Sequence, residues 1–149
     1  MELKVIMSIF SKTPTECDKA ALLIVDDEPS IRSLFSMIIS QAHPDLKIDE
    51  ACNGLEAVRS FREKRHCVIL MDIRMPLMDG LQAFLTIERE CKEKNVQIPA
   101  FVFCTGFSPP DAVSQIIASR KRHILLLKPP QSAALLQAIT ASLQSKTVV

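Results

Sequence analysis

Four short apolar runs recur along this chain, and each is followed by a segment with the periodicity of a helix. They occupy residues 21–25, 67–71, 101–104 and 124–127. Runs of this length that are bounded by polar or turn-forming residues are typical of strands buried on both faces. Strands that alternate with helices form a parallel sheet, since each right-handed crossover lays its helix over one face of that sheet. The pattern therefore predicts an α/β fold with a doubly wound parallel sheet.

A fifth strand is predicted at residues 46–49, where apolar and polar residues alternate. Alternation indicates a strand that is only half buried, and the simplest place for it is an edge of the sheet. With this second strand at an edge, the five-stranded order becomes 2-1-3-4-5, the flavodoxin-like (βα)5 arrangement. Such sheets bind ligands outside the carboxyl ends of the strands, at the switch point beside the first strand.

Apolar residues in the five intervening segments fall at helical spacing and define the expected buried faces. The first helix should begin at Pro29, which suits a first helical turn, and should end before Pro44. The residues expected on the buried faces are Ile31, Leu34, Phe35, Ile38, Ile39, Leu55, Val58, Phe61, Leu81, Phe84, Leu85, Ile87, Val113, Ile116, Ile117, Leu135, Leu136, Ile139 and Leu143.

The composition fits one globular domain without a general attraction for nucleic acid or membranes. The chain has 149 residues, 48% of them hydrophobic, and a net charge of +1. This length is usual for one domain, and a net charge near zero creates no field that favours polyanions. No apolar stretch approaches the roughly 20 residues of a membrane span. The five cysteines are scattered and never spaced Cys-x-x-Cys, which indicates a reducing compartment and no structural zinc.

The predicted domain covers residues 20–145. Residues 1–19 are interpreted as an N-terminal extension and linker, because the first ten lack a usual signal-peptide cleavage site and the rest are polar and contain Pro14. Residues 146–149 are interpreted as a C-terminal tail. Without an export signal, the expected location is the cytoplasm.

Four of the predicted strands end in polar side chains of different chemistry. Residues 26–28, two aspartates and a glutamate, follow the first strand, and Asp72 follows the third. Thr105 and Lys128 follow the fourth and fifth strands. Each group has an ordinary structural explanation on its own, such as a helix N-cap, a turn or a solvated strand end. Their occurrence at the ends of four parallel strands predicts a shared site at one edge of the sheet.

Carboxylates brought together at such an edge repel each other unless a proton or a cation relieves the repulsion. Asp26, Asp27 and Asp72 offer hard oxygen ligands without a chelating His or Cys pair among them, which favours Mg²⁺ over zinc or copper. A phosphoryl oxygen could fill an open position on that ion, with Lys128 as a point charge and the Thr105 hydroxyl as a hydrogen-bond donor. Asp72 could then be the nucleophile of an in-line phosphoryl transfer.

With these residues in place, the chain resembles the CheY-like receiver domain of the response-regulator family in two-component signalling. The resemblance covers residues of about 20–145. The matching segments are Leu23-Ile24-Val25-Asp26-Asp27-Glu28, Asn53-Gly54-Leu55-Glu56-Ala57, Met71-Asp72-Ile73-Arg74-Met75-Pro76-Leu77-Met78-Asp79-Gly80, Thr105-Gly106 and Lys128-Pro129.

The resemblance implies specific roles for the acidic residues at the sheet edge. Asp72 would accept a phosphoryl group from a histidine kinase or a histidine phosphotransfer protein. Asp27 and Asp72 would bind Mg²⁺ directly, together with the backbone carbonyl of Arg74. Asp26 would act on the ion through a bound water.

The resemblance also implies that Thr105 and Lys128 contact the phosphoryl group and that the Lys128–Pro129 bond is cis. Leu125 departs from the family pattern, since it stands where an aromatic side chain usually moves with the threonine on activation. The basic run at residues 120–123 could bind an acidic partner or nucleic acid. It is interpreted instead as a solvated helix end, because it is short and lacks aromatic neighbours.

The expected function is that of a stand-alone receiver, which catalyses only its own phosphorylation and dephosphorylation and is otherwise not an enzyme. Its output would be phosphorelay, or docking on a target protein through the face of the fourth helix, fifth strand and fifth helix. Neither direct nucleic-acid binding nor membrane insertion is expected. Two alternatives are a receiver-like docking module that is never phosphorylated and an aspartyl-phosphate phosphohydrolase. The phosphohydrolase is disfavoured because Arg74 stands where that chemistry needs a second Asp.

Overall fold

The computed structural model describes residues 18–106, 108–120 and 122–144. Within them, five strands alternate with five helices, none of which is long and apolar enough to cross a membrane. The bounds are β1 Asp18–Val25, α1 Pro29–Ala42, β2 Lys47–Ala51, α2 Gly54–Lys64, β3 His66–Asp72, α3 Gly80–Glu93, β4 Ala100–Thr105, α4 Asp111–Ser119, β5 Ile124–Leu127 and α5 Ser132–Gln144. The predicted extension up to residue 17 and the predicted tail at 146–149 lie outside the described residues.

All five strands are parallel and lie in the order β2-β1-β3-β4-β5, which confirms the doubly wound sheet predicted from the sequence. β1 begins at Asp18, before the apolar run at residues 21–25, because Asp18 pairs with His66 of β3 ahead of a shift in register. β2 forms an edge and is only partly buried, as its alternating sequence indicated.

Helices cover both faces of the sheet, which explains why its central strands are apolar at nearly every position. Leu23 and Val25 of β1 belong to the apolar cluster that includes residues of α2, α3 and α4. Leu22 and Ile24 belong to the opposite cluster, which includes residues of α1 and α5. Because successive side chains of a strand point to opposite faces, each layer receives every second residue.

The N-terminus of α3 packs directly against the carboxyl end of β3 and thereby fixes Asp72. The Asp79 side chain accepts a hydrogen bond from the backbone N–H of Gln82 at 2.8 Å, and the Gln82 side chain accepts one from the N–H of Asp79 at 3.0 Å. The Gly80 N–H donates to the carbonyl oxygen of Ile73 at 2.7 Å. A Cβ on Gly80 would lie 2.1 Å from the carbonyl oxygen of Asp72, so a larger residue would push α3 away from the strand.

Three residues that the periodicity placed on buried helix faces are exposed instead, so the prediction is wrong for Leu34, Leu55 and Leu85. Leu34 precedes buried Phe35, and Leu85 follows buried Phe84. Neighbouring helical residues are about 100° apart around the axis, since 3.6 residues make a turn. A helix lying on a sheet buries only a stripe, and the residue beside a central position turns outward.

The interpretation of residues 120–123 as a solvated helix end is right in that Arg120 caps α4, but it missed the tertiary contacts of the arginines that the structure describes. Arg120 donates a hydrogen bond to Glu88 Oε1 of α3 at 2.9 Å. Arg122 donates to the backbone carbonyl of Ile98 at 2.9 Å. Both side chains therefore attach the connection between α4 and β5 to the rest of the domain, while Lys121 lies outside the described residues.

His123 in the same run is buried, and its Nδ1 accepts a hydrogen bond from the backbone N–H of Phe101 at 3.1 Å. Its ring lies edge-on to those of Phe84 and Phe101, with centroids 5.2 and 5.7 Å away. Burial, together with the charges of Arg120 and Arg122, lowers the pKa of His123 to about 4. The imidazole is therefore neutral at physiological pH and serves as a core residue.

Candidate functional site

Four polar side chains lie at the carboxyl edge of the sheet, as the order of strands requires. Asp26 follows β1, Asp72 ends β3, Thr105 ends β4 and Lys128 follows β5. β1 and β3 are neighbours, and the chain leaves β1 towards β2 on one side and reaches β3 on the other. Asp26 and Asp72 therefore stand at the topological switch point, where open α/β sheets form their ligand sites.

Asp26 is buried, and hydrogen bonds hold both its carboxylate oxygens and its backbone. Its Oδ1 accepts from the backbone N–H of Glu28 at 3.0 Å, and its Oδ2 accepts from Lys128 Nζ at 2.6 Å. Its own backbone N–H donates to the carbonyl oxygen of Ala51 in β2 at 3.2 Å. A carboxylate in such a frame has a fixed orientation, which is a requirement for holding an ion or its water.

Lys128 bridges two of the acids. Its Nζ lies 2.6 Å from Asp26 Oδ2 and 3.4 Å from Asp72 Oδ2. Burial by itself lowers the pKa of Lys128, but its hydrogen bond to Asp26 and the charges of Asp72 and Asp26 outweigh burial and raise it above the usual value. Lys128 is therefore a fixed cation beside the Asp72 carboxylate.

Asp72 ends β3 in a largely buried position. Its side chain is almost fully buried, and the residue is only 7% exposed. Burial raises the pKa of Asp72 to about 6, with a further increase from the charge of Asp26, while Lys128 opposes the shift. A carboxyl group whose ionisation is resisted by its surroundings gains most from an additional cation, which makes Asp72 a strong candidate for metal binding or chemistry.

Asp26, Asp27 and Asp72 can together present oxygen atoms to one metal ion. One carboxylate oxygen from each residue lies within 4.8 Å of the others, and Asp27 is exposed to solvent. Three hard oxygen donors with one open side suit Mg²⁺, which keeps several waters when it is bound. The donor set therefore fits the ion that the sequence predicted, and Arg74 follows two residues later in the exposed loop after β3.

The remaining predicted residues lie at the same edge. Thr105 is buried, and its carbonyl oxygen accepts a hydrogen bond from the Lys128 N–H at 2.8 Å, which ties the ends of β4 and β5 together. The Lys128–Pro129 peptide bond is cis, as the resemblance implied. Leu125 is partly buried and packs against the core cluster beneath α4.

Arg32 of α1 contacts the site but was not among the residues predicted from the sequence. Its Nη1 donates to the backbone carbonyl of Asp26 at 2.7 Å. Arg32 is the one charged residue in α1, Pro29–Ala42, and this isolation in an otherwise uncharged helix is the sequence signal that could have identified it.

The comparisons with known proteins point to one family. A family model described as "Response regulator receiver domain" matches residues 22–140. The chain is 30% identical over 118 residues to the chemotaxis protein CheY of Listeria monocytogenes, covering 79% of this chain and 93% of that protein. It is 39% identical over 110 residues to protein-glutamate methylesterase/protein-glutamine glutaminase 3 of Hahella chejuensis, covering 74% of this chain and 30% of that protein.

Solved structures agree with the sequence matches. The chemotaxis protein CheY4 of Vibrio cholerae has a TM-score of 0.69 at 25% identity, over 83% of this chain and 98% of that one. The response regulator domain of Thermotoga maritima CheB has a TM-score of 0.67 at 27% identity, over 85% and 98% of the two chains. The chain spans less than a third of the methylesterases that it matches. With a family match over residues 22–140 and the sheet order of its structural neighbours, the chain belongs to the response regulator receiver domain family.

Proposed function

We propose that this receiver is a phosphorylation switch in which Asp72 accepts a phosphoryl group from a histidine kinase or a histidine phosphotransfer protein. One observation carries the proposal. One carboxylate oxygen of Asp72 lies within 4.8 Å of one from each of Asp26 and Asp27, close enough for all three to bind one ion. Asp72 Oδ2 also lies 3.4 Å from Lys128 Nζ. Two further acids and a cation around one nearly buried carboxylate form an arrangement suited to receiving a phosphoryl group.

The transfer is an in-line displacement at phosphorus. A carboxylate oxygen of Asp72 forms the new bond to phosphorus while the bond from phosphorus to the imidazole nitrogen of the donor breaks. The donor histidine carries a proton on its second ring nitrogen, keeps the electron pair of the broken bond and so leaves as a neutral imidazole. Lys128, whose Nζ lies 3.4 Å from Asp72 Oδ2, would neutralise charge on the phosphoryl oxygens, and the Thr105 hydroxyl at the end of β4 would donate a hydrogen bond to one of them.

Mg²⁺ is the proposed cofactor of this step. Asp27 and Asp72 would bind it directly with the backbone carbonyl of Arg74, and Asp26 would reach it through a water. When bound, the ion offsets the mutual repulsion of the acids and of the incoming phosphoryl oxygens. This role fits Asp72, because burial raises its pKa and so disfavours the ionised form, which a nearby divalent cation would favour.

The proposed output is phosphorelay or the docking of a target protein on the face formed by α4, β5 and α5. Lys128 links that face to the site, because its Nζ contacts Asp72 while its backbone continues β5. Its N–H also donates to the Thr105 carbonyl oxygen at 2.8 Å, and a shift at the end of β4 would pass to β5 through this bond. Leu125 packs against the apolar cluster that includes residues of α4 and would move with this connection in place of the aromatic side chain usual in the family.

Mass spectrometry of the intact protein tests the proposal. Incubation with Mg²⁺ and acetyl phosphate should add one phosphoryl group that hydroxylamine removes. The adduct should be absent in Asp72→Asn and present in the control Asp45→Asn, which changes an exposed aspartate. Protein that gains no adduct and does not bind beryllofluoride with Mg²⁺ would be a docking module instead. Continuous hydrolysis of unrelated phosphate esters would identify a phosphohydrolase.

A further inference from the structure

We propose that Arg32 is a positioning residue that holds the loop between β1 and α1 in the conformation that binds Mg²⁺. This inference rests on the proposed function, since it concerns the same site. The loop has three residues, 26–28, all of them acids, and Asp26 and Asp27 are the two that are proposed to hold the ion. A displacement of the backbone at the start of so short a loop moves both carboxylates at once.

The contact of Arg32 with the loop is close and protected. Its Nη1 donates to the carbonyl oxygen of Asp26 at 2.7 Å, a charge-assisted hydrogen bond of good length. The Arg32 side chain is only 18% exposed although it carries a permanent charge. Its Nε lies 3.9 Å from Glu50 Oε1 of β2, a carboxylate that is 44% exposed and adds a weaker ion pair.

The other contacts of Asp26 do not replace this one. Glu28 N–H and Lys128 Nζ hold the two carboxylate oxygens, and Ala51 in β2 accepts from the backbone N–H. Arg32 contacts the carbonyl, which lies on the side of the chain that leads into Asp27. Asp27 is exposed, and its orientation therefore depends on the backbone that Arg32 holds.

Loss of the guanidinium has two opposite effects on Mg²⁺ binding. Removing a cation near the acids makes the site more negative, which favours the ion, but this effect is screened because Asp27 and Glu50 face water. Releasing the Asp26 carbonyl lets the loop leave its binding conformation, which opposes the ion. The hydrogen bond is largely shielded from solvent, so we infer that the positional effect is the larger of the two.

Calorimetric titration with Mg²⁺ tests this inference directly, and it suits a chain that contains neither Trp nor Tyr for fluorescence. Arg32→Met should bind Mg²⁺ about tenfold more weakly than the wild type, the change expected when one charge-assisted hydrogen bond is lost. Arg32→Lys, which keeps one donor and the charge, should recover most of the affinity. Glu50→Gln should change affinity by less than about twofold, because that ion pair is long and exposed.

The matched control is Arg89→Met, which removes the same charge from an exposed side chain that pairs with Glu93 alone in the contacts described. Its Mg²⁺ affinity should equal that of the wild type. As a second readout, the Mg²⁺ concentration for half-maximal phosphorylation by acetyl phosphate should rise about tenfold in Arg32→Met, in line with the lost hydrogen bond, while the rate at saturating Mg²⁺ stays within about twofold.

The outcomes separate this inference from the proposed function. A wild-type protein that neither binds Mg²⁺ nor becomes phosphorylated would overturn the proposed function. A wild type that does both, with Arg32→Met binding Mg²⁺ as tightly as Arg89→Met, would overturn the role of Arg32 alone. If Arg32→Met does not fold, Arg32→Gln, whose shorter neutral side chain does not restore the charge-assisted bond, decides through the same titration, since affinity equal to that of Arg89→Met together with lowered stability in EDTA would show a merely structural residue.

Discussion

The carboxyl group of Asp72 is buried, although the proposed phosphoryl transfer requires it to be ionised. Burial raises its pKa to about 6, whereas an unfolded chain ionises an aspartate near 4. The folded protein therefore binds the proton more tightly than the unfolded one. The stabilising contribution is complete below about pH 4 and is lost as the pH rises through about 6. At neutral pH and without metal, the ionised Asp72 opposes folding.

The variant Asp72→Asn should consequently be more stable than the wild type at pH 7.5 in EDTA. We expect its free energy of unfolding to be about 1–3 kcal/mol higher, because a pKa shift of one unit corresponds to about 1.4 kcal/mol. Urea unfolding measures the difference, and Asp45→Asn, at an exposed aspartate, should show none. Added Mg²⁺ should stabilise the wild type more than Asp72→Asn. Equal stability in EDTA would contradict the burial argument.

The backbone of Leu77 is strained, because its φ is positive. It lies in the loop between β3 and α3 with a φ of 68°, in the left-handed region that a Cβ disfavours, and it is 79% exposed. A leucine there gains little from packing and pays the steric cost that glycine avoids.

Leu77→Gly should therefore stabilise the protein by about 0.5–1 kcal/mol, the relief of left-handed strain less the extra entropy of glycine in the unfolded chain. The matched control is Leu85→Gly, which changes an exposed leucine within α3 and should destabilise by about 1 kcal/mol. Both free energies come from urea unfolding followed by circular dichroism. A destabilised Leu77→Gly would show that the leucine side chain has a packing role.

At the scale of elements, α3 and the end of α4 are joined by a partly buried ion pair. Glu88 is buried in α3, where Arg120 Nη2 and Lys92 Nζ lie 2.9 and 3.4 Å from its Oε1. Among the described residues, Glu88 Oε2 has no hydrogen-bond partner. The Arg120 guanidinium also lies 5.8 Å from the centre of the Phe84 ring. Arg120 thus covers a carboxylate that would otherwise have little compensation.

The two partners should differ in the cost of their removal. Arg120→Met leaves the Glu88 charge buried with Lys92 as its remaining ion-pair partner among the described residues, and should destabilise by about 2–4 kcal/mol. Glu88→Met leaves Arg120 able to reach solvent and should cost less than about 1 kcal/mol. The double variant should be about as stable as Glu88→Met. Additive single effects in a urea double-mutant cycle would contradict this account.

The succession of strands and helices could be predicted because burial on two faces demands apolar runs, and residues 21–25 and 67–71 have no other simple interpretation. Asp26, Asp72 and Lys128 could be placed together for a related reason, since each directly follows or ends a strand of known order. Which side chains meet at the carboxyl edge of the sheet then depends only on the order of the strands, and the sequence pattern predicts that order.

Contacts made by long side chains across the fold could not be predicted. Arg32 reaches a carbonyl six residues earlier, which depends on the path of the loop at Asp26. Arg120 and His123 looked like a solvated basic run, yet their partners Glu88 and Phe101 are more than twenty residues away in sequence. Their placement is decided by tertiary packing, which neither periodicity nor charge pattern encodes.

At the scale of the whole molecule, two buried groups among the described residues make opposed contributions to the pH dependence of stability. His123 has a pKa of about 4 in the folded state, mainly because it is buried, and about 6.5 in an unfolded chain. Its stabilising contribution is complete above about pH 6.5 and is lost as the pH falls through about 4. Asp72 behaves in the opposite way, because its pKa is raised to about 6 and its contribution grows as the pH falls.

In metal-free wild-type protein these two effects should largely cancel between about pH 4 and 6, since each shift amounts to about two pKa units. Asp72→Asn removes one of them, so its free energy of unfolding should fall by about 2–3 kcal/mol between pH 6.5 and 4.5. His123→Gln should show the reverse, with stability that rises on acidification over the same range. Urea unfolding in EDTA at half-unit pH steps measures all three profiles. Parallel profiles would mean that proton binding by Asp72 and His123 is not linked to folding in this way. Profiles that diverge with pH would show that Asp72 offsets the acid sensitivity of His123, which lies on the opposite side of β4.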